Sequence, residues 1–218
     1  MQAQTDSSYR GKTKYDDRTA MAYKDRPPRQ QAAEMALIDR VFQHLPQDLR
    51  VLDLPCGGGR VSVHLARKGY QISGADNSEA MVGISRRFLA ESGLNCPVSR
   101  QDIEALSYAG GEFDAIICFR LFHHFPNPRL RQQAVSELCR VAGRYVAISY
   151  FSPLSVTSLK RRLRSAIGGR GSEKYATPLG EVETYFRKQG FRLVKDFARS
   201  PFLHTLHVAL FARVDEVL

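Results

Sequence analysis

The sequence has no apolar run that approaches the roughly 18 to 20 residues needed to cross a bilayer. Its first residues, Met1 to Asp6, also lack the hydrophobic core of a signal peptide. The four cysteines are scattered without a C-x-x-C pair, which favours reduced thiols over a disulfide framework or a zinc ribbon. From these absences we expect a cytoplasmic protein with no bound metal.

Acidic residues are few: 22 stand against 32 lysines and arginines, so the formal net charge is +10. Much of the excess lies between residues 152 and 200, where eleven basic residues face four acidic ones. Either this segment meets an anionic partner or it is a solvated surface that aids solubility. The length of 218 residues and the 43% hydrophobic content suit a single globular domain.

The stretch from Val51 to Arg60 carries the strongest local signal. Apolar residues interrupted by the single acid Asp53 run into Gly57, Gly58 and Gly59, after which the pattern becomes helical. This order predicts a strand, a tight loop and a helix. Such a loop presents backbone N–H groups at the carboxyl edge of an open sheet, where nucleotide-like ligands bind.

Two common nucleotide loops do not fit this stretch. A dinucleotide fingerprint needs a third glycine where the chain has Ser62, and a phosphate loop needs a Gly-Lys-Ser/Thr sequence where Arg60 and Val61 stand. Asp53 would repel phosphate and suits a cofactor with an ammonium or sulfonium group better. The pattern therefore disfavours an NAD-dependent dehydrogenase.

With Asp53, Gly57 and Gly59 in D-x-x-x-G-x-G spacing, the stretch resembles motif I of the class I S-adenosylmethionine-dependent methyltransferases. The resemblance implies an enzyme that uses S-adenosylmethionine and releases S-adenosylhomocysteine. It implies a Rossmann-like α/β fold in which seven mostly parallel strands are covered by helices on both faces. The last strand is expected to be antiparallel.

Further residues stand where this family needs them. Asp76 closes the second predicted strand, 17 residues after Gly59, and the corresponding acid in the family holds the ribose hydroxyls; alternatively, it only caps the next helix. Asp102 and Ile103 match the acid and apolar residue that meet adenine. The resemblance thus implies cofactor contacts from Asp53, Cys56, Gly57, Gly59, Asp76, Asn77, Asp102, Ile103 and Phe119.

The loop after the fourth predicted strand contains Leu-Phe-His-His-Phe, residues 121–125, and resembles motif IV of the family. His123 and His124 are candidates for a general base because imidazole titrates near neutral pH. Adjacent residues do not readily both face one site, so we expect at most one to act. The alternative is a histidine packed in the core.

Two further segments belong to the predicted organisation: one precedes the predicted catalytic domain, residues 29–218, and the other is inserted within it. We expect residues 1–28 to form a mobile segment and a lid helix, and residues 152–177 to form an inserted basic amphipathic helix. This helix suits an acceptor pocket, phosphates or an anionic membrane surface, or it packs on the domain with its cations in water. The candidate acceptor-binding residues are Tyr15, Tyr23, Arg26, Arg120, Tyr150 and Arg161.

The acceptor is less defined than the cofactor. Basic charge favours an anionic acceptor such as an envelope glycan, a lipopolysaccharide component or a lipid at the inner membrane face. A neutral metabolite and a non-catalytic regulator that binds the cofactor or a polyanion are the alternatives. RNA is disfavoured because residues 152–177 have few aromatic residues for stacking on bases.

Overall fold

The computed structural model describes residues 27–156, 174–198 and 205–215. Within these ranges seven strands occur: β1 (Arg50–Asp53), β2 (Gln71–Asp76), β3 (Val98–Arg100), β4 (Phe113–Cys118), β5 (Ala142–Phe151), β6 (Phe191–Ala198) and β7 (Leu206–Arg213). Five α-helices accompany them: α1 (Pro28–Phe42), α2 (Arg60–Ala66), α3 (Glu79–Glu91), α4 (Pro128–Val141) and α5 (Leu179–Arg187). A 3₁₀ turn spans Phe122–His124.

The strands form one sheet in the order β3-β2-β1-β4-β5-β7-β6. Neighbouring strands from β3 to β5 are parallel, whereas β7 runs antiparallel to both β5 and β6. This arrangement confirms the predicted fold, including the antiparallel last strand. Strand order reverses between β1 and β4, and ligands of open α/β sheets bind at such a reversal.

Two apolar cores lie on opposite faces of the sheet. Ile116 of β4 belongs to the core formed with α4 and α5, and the adjacent Ile117 belongs to the core formed with α1. Because successive side chains of a strand point to opposite faces, a central parallel strand is apolar at nearly every position. Helices therefore cover both faces, as predicted.

Several boundaries differ from those that the sequence pattern predicts, which are a helix over about residues 29–45 and strands over residues 97–103 and 144–150. Strand β5 begins at Ala142 rather than Arg144 and follows α4 without a loop, since Ala142 is already extended and pairs with Phe113. Strand β3 ends at Arg100, so Asp102 lies in the loop beyond it. Helix α1 ends at Phe42 rather than Leu45.

Parts of the predicted N-terminal segment and of the predicted insertion lie outside the described residues. These parts are residues 1–26 and 157–173, which contain Tyr15, Tyr23, Arg26 and Arg161. Among the helices that the structure does describe, none is both long and apolar enough for a bilayer span.

Candidate cofactor and active site

A cavity opens at the carboxyl ends of β1, β2 and β4 and encloses about 810 Å³, including its opening to solvent. Its walls come from the loops after these strands and after β3, so four separate stretches of sequence meet there. Many of the residues expected to bind ligands line it: Cys56, Gly57, Asp76, Asn77, Asp102, Ile103, Phe119, Arg120 and His124.

The glycine loop takes a shape that other residues resist. Gly57 and Gly59 have φ angles of 52° and 82°, in the left-handed region that favours glycine. A Cβ atom on Gly59 would lie 2.7 Å from the Oγ of Ser85 and 3.3 Å from its Cα. Gly59 therefore allows the start of α2 to pack against α3, and Gly57 is the member of this pair that lines the cavity.

Asp76 joins the end of β2 to the glycine loop. One carboxylate oxygen accepts from the backbone N–H of Gly57 at 2.9 Å, and the other accepts from the N–H of Ser78 at 2.9 Å. The residue is only 7% exposed and faces the cavity. A carboxylate has about four acceptor positions, so it can accept from a ligand hydroxyl in addition to these backbone groups.

Asp53 is fully buried beneath the loop and is not part of the cavity lining. Its Oδ2 accepts a hydrogen bond of 2.7 Å from Ser62, the residue that stands in place of a third glycine. Burial raises the pKa of Asp53 to about 7, and the nearby Asp76 adds to the shift, while Ser62 opposes it. Asp53 thus bonds to α2, the helix that follows the glycine loop, and does not face the cavity.

The loop after β4 places the two adjacent histidines in different surroundings. His124 lines the cavity, whereas His123 is 1% exposed and stacks on Phe151 with ring centroids 4.0 Å apart. The backbone carbonyl of His123 also accepts from the N–H of Tyr175, which lies near the end of the predicted insertion. Of the two candidate bases, His124 is the one that can reach a ligand in this cavity.

Arg120 and Tyr150 occupy different surroundings. Arg120 lines the cavity and forms a 2.7 Å ion pair with the buried Glu34 of α1. Tyr150 is 1% exposed, lies in the core on the α4 and α5 face, and has its pKa raised by burial. Among the predicted acceptor-binding residues that the structure describes, Arg120 therefore lines the cavity and Tyr150 does not.

Comparison with known proteins agrees with this geometry. Residues 51–143 match a family model described as a methyltransferase domain. The fold matches magnesium protoporphyrin IX methyltransferase from Synechocystis PCC 6803, solved with S-adenosylhomocysteine bound, with a TM-score of 0.70 at 23% identity over 85% of this chain and 83% of that one. Residues 51–143 therefore resemble a methyltransferase domain, and the described part of the chain has the same fold as this methyltransferase.

Relatives in sequence carry similar names. A ubiquinone biosynthesis O-methyltransferase of Azoarcus sp. (strain BH72) is 31% identical over 156 residues, which is 66% of this chain and 65% of that protein. Another from Coxiella burnetii is 29% identical over 66% of this chain and 64% of that protein. This chain thus spans slightly less than two thirds of the length of these relatives.

The cavity of the methyltransferase domain suits S-adenosylmethionine chemically. Asp76 offers a carboxylate for the ribose hydroxyls, and Asp102 stands two residues beyond β3 with Oδ1 held by the N–H of Glu104 at 3.1 Å. Ile103 and Met81, which are 4% and 1% exposed, add apolar walls for a base. The residues present therefore fit the expected group.

The sequence interpretation missed some residues of the cavity. Met81 and Gln101 line it and are not among the predicted ligand-binding residues. The ion pair of Glu34 could not be predicted, because a single acidic residue in an amphipathic helix does not indicate a buried partner. Asp39 and His64, joined at 2.6 Å, also went unnoticed, and they lie outside the cavity.

The raised pKa of Asp53 predicts a pH effect on folding. In the unfolded chain this carboxyl titrates near pH 4, so between about pH 4 and 7 the folded chain holds a proton that the unfolded chain has lost. Stability therefore falls as pH rises through this window. From pH 4.5 to 7.5 we expect wild type to lose about 1–3 kcal/mol of unfolding free energy relative to Asp53→Asn, measured by urea denaturation. Parallel pH curves for the two proteins would contradict this expectation.

Proposed function

We propose that this chain is an S-adenosylmethionine-dependent methyltransferase that methylates an oxygen of its acceptor. The observation that carries the proposal is Asp76, a buried carboxylate joined to the glycine loop and facing the cavity. The match of residues 51–143 to the methyltransferase domain model supports it independently. The names of the sequence relatives, which are O-methyltransferases, support oxygen as the acceptor atom.

The cofactor would supply a methyl group on a positively charged sulfur, which a nucleophile displaces in line. Such a reaction needs little covalent help, so the work of the protein is to align the reactants and exclude water. Asp76 would hold the ribose, and Asp102 with Ile103 and Met81 would hold the base. Phe119 and Leu121, both less than 10% exposed, provide an apolar wall beside the loop that carries His124.

A hydroxyl acceptor must lose its proton during the reaction. Within the part of the chain that the structure describes, His124 is the histidine that lines the cavity. An imidazole there can accept the hydroxyl proton as the oxygen attacks, in the role of general base. His123, stacked on Phe151 and bonded through its carbonyl, would hold the loop in place.

An anionic acceptor has less support from the described residues. Arg120 is already paired with Glu34, and Asp76 and Asp102 add negative charge to the cavity. Arg161 lies outside the described residues, and Tyr150 is in the core. A glycan, a lipopolysaccharide component or a lipid at a membrane surface therefore remains a second proposal, which rests on the basic composition of residues 152–200.

The proposal is tested by methyl transfer from S-adenosylmethionine labelled in its methyl group. The protein is incubated with aqueous, lipid and glycan fractions of a cell extract, and the labelled products are treated with alkali. We expect label that survives alkali, because methyl ethers are stable whereas methyl esters release methanol. Alkali-labile label would contradict an ether oxygen as the acceptor.

A non-catalytic regulator is the competing function, and the same assay addresses it. Calorimetric titration with S-adenosylhomocysteine establishes whether the cavity binds the cofactor at all. Binding without label in any fraction would favour a cofactor-binding regulator. No binding would overturn both the methyltransferase and the cofactor-binding regulator, and would favour a regulator that binds a polyanion.

A further inference from the structure

The connection from β3 to β4 has an unusual support. In the described chain, residues 101–112 join the two strands without a helix, so their backbone N–H and C=O groups need partners from elsewhere. Ile103 and Leu106 are nevertheless only 4% and 6% exposed, which shows that the first part of the connection is packed against the domain. This part, residues 101–108, is called the base loop below, because Asp102 and Ile103 belong to it and line the cavity.

Two charged residues of α4 bind the backbone of the base loop. Glu137 Oε2 accepts from the N–H of Leu106 at 2.8 Å. Arg140 donates to the carbonyl of Leu106 at 2.8 Å and to the carbonyl of Tyr108 at 2.7 Å. The two side chains also bond to each other through two hydrogen bonds of 2.8 Å. One ion pair on α4 thus holds both a donor and two acceptors of the loop backbone.

The contact with α4 continues toward the cavity. Gln133 precedes Glu137 by four residues, so both side chains lie on one face of the helix. Its Nε2 donates to the carbonyl of Glu104 at 2.9 Å. The N–H of Glu104 in turn donates to Asp102 Oδ1 at 3.1 Å. The loop is therefore held at residues 104, 106 and 108, and the first of these bonds to the carboxylate that lines the cavity.

The pair of Glu137 and Arg140 contributes geometry more than stability. Hydrogen bonds from Arg140 lower the pKa of Glu137 against the effect of burial, and the N–H of Leu106 adds to this, so Glu137 is ionised at neutral pH. The Arg140 side chain is 39% exposed, and ion pairs that water reaches stabilise a fold only weakly. A guanidinium bound at two nitrogens to one carboxylate, however, has a fixed orientation.

We propose that Glu137 and Arg140 are positioning residues that determine which base the cavity accepts, because they hold the loop that presents Asp102. This inference rests on the proposed function, in which Asp102 meets the base of S-adenosylmethionine. A carboxylate accepts from an exocyclic amine but repels a carbonyl oxygen at the same position. Such discrimination requires a defined distance and direction between the two groups. A base loop that could shift would discriminate less.

The test compares two ligands that differ at one position of the base. S-adenosylhomocysteine and S-inosylhomocysteine, in which a carbonyl oxygen replaces the amine, are titrated into the full chain by calorimetry. We expect wild type to bind the first about 10- to 100-fold more tightly. In Arg140→Met this preference should shrink to within about threefold, while affinity for S-inosylhomocysteine changes by less than about threefold.

Two variants at Glu137 separate the hydrogen bond from the charge. Glu137→Gln and Glu137→Leu remove the same charge, but only the glutamine retains an oxygen that accepts from the N–H of Leu106. We expect Glu137→Gln to keep the wild-type preference within about threefold and Glu137→Leu to lose at least about tenfold of it. Equal preferences in the two variants would overturn the positioning role of Glu137.

Arg213→Met is the matched control for Arg140→Met. Arg213 also holds backbone carbonyls, those of Ala142 at 2.6 Å and Gly143 at 2.8 Å, but it does not line the cavity or contact the base loop. Its loss should leave the preference unchanged, whatever its effect on stability. If Arg140→Met alone fails to fold, Glu137→Leu/Arg140→Met takes its place, because it leaves neither charge unpaired.

The outcomes separate this inference from the function on which it rests. An unchanged preference in folded Arg140 variants, an equal weakening of both ligands, or the same loss in Arg213→Met would overturn the positioning role. A wild-type chain that binds both ligands equally would also overturn it and would leave methyl transfer untouched. A wild-type chain that binds neither ligand would overturn the proposed function.

Discussion

Asp76→Ala is expected to weaken binding of S-adenosylhomocysteine by about 100-fold or more. The carboxylate would accept from two ribose hydroxyls, and each bond to a charged acceptor contributes about 1.5–3 kcal/mol. The same substitution removes the bonds to the N–H groups of Gly57 and Ser78, so the glycine loop loses a tether as well. Calorimetric titration of wild type and variant measures the effect.

Asp114→Ala is the matched control for this substitution. Asp114 is also a strand aspartate that holds a backbone N–H, that of Arg50 at 2.9 Å, but it lies at the opposite end of the sheet from the cavity. Its loss should leave the dissociation constant within about threefold, whatever its effect on stability. If Asp76→Ala, shown to be folded by circular dichroism, also stays within threefold, Asp76 does not hold the ribose.

His124→Ala is expected to lower kcat by roughly 10²- to 10⁴-fold, the usual range for loss of a general base. The residue lines the cavity beside Phe119 and Leu121, where an acceptor hydroxyl would meet the methyl group. Since His124 would act on the acceptor proton, affinity for S-adenosylhomocysteine should change little. Once an acceptor is known from the labelling assay, single-turnover rates as a function of pH measure the effect.

His123→Ala provides the contrast. His123 stacks on Phe151 in the core, so its loss should destabilise the loop and lower the free energy of unfolding. The pH dependence of turnover should remain. The two histidines are neighbours in sequence and differ in surroundings alone. A larger loss of kcat in His123→Ala, with its pH profile flattened, would reverse the assignment.

Much of the fold was predictable because it depends on periodic patterns. The continuous apolar run of β4 and the glycine turn after β1 are local signals that fix a parallel layer. Asp76 and Asp102 were found because Asp76 ends β2 and Asp102 lies just past β3, at positions defined by topology. By contrast, the exact ends of β3 and β5 depend on pairing with other strands, which single stretches of sequence do not reveal.

The site was less predictable where function depends on contacts distant in sequence. Glu34 and Arg120 are 86 positions apart, and only the packing of α1 beside β4 makes them partners. Tyr150 was predicted to bind the acceptor, but it lies in the core for a related reason. A side chain at the end of a strand can face the cavity or the core, and its side depends on the register of β5 against β7. The sequence identifies both His123 and His124 as candidate bases, but the 3₁₀ turn determines which of them lines the cavity.

The insertion of β7 between β5 and β6 has a consequence for synthesis on the ribosome. About 55 residues separate Phe151 at the end of β5 from Leu206 at the start of β7. At roughly 5–20 residues per second, translation leaves the hydrogen-bonding edge of β5 without this partner for several seconds. Strand β6 emerges in that interval and cannot join the sheet by itself, because its neighbour is β7. Strands β1 to β5 thus emerge first, and β6 and β7 then complete the sheet together.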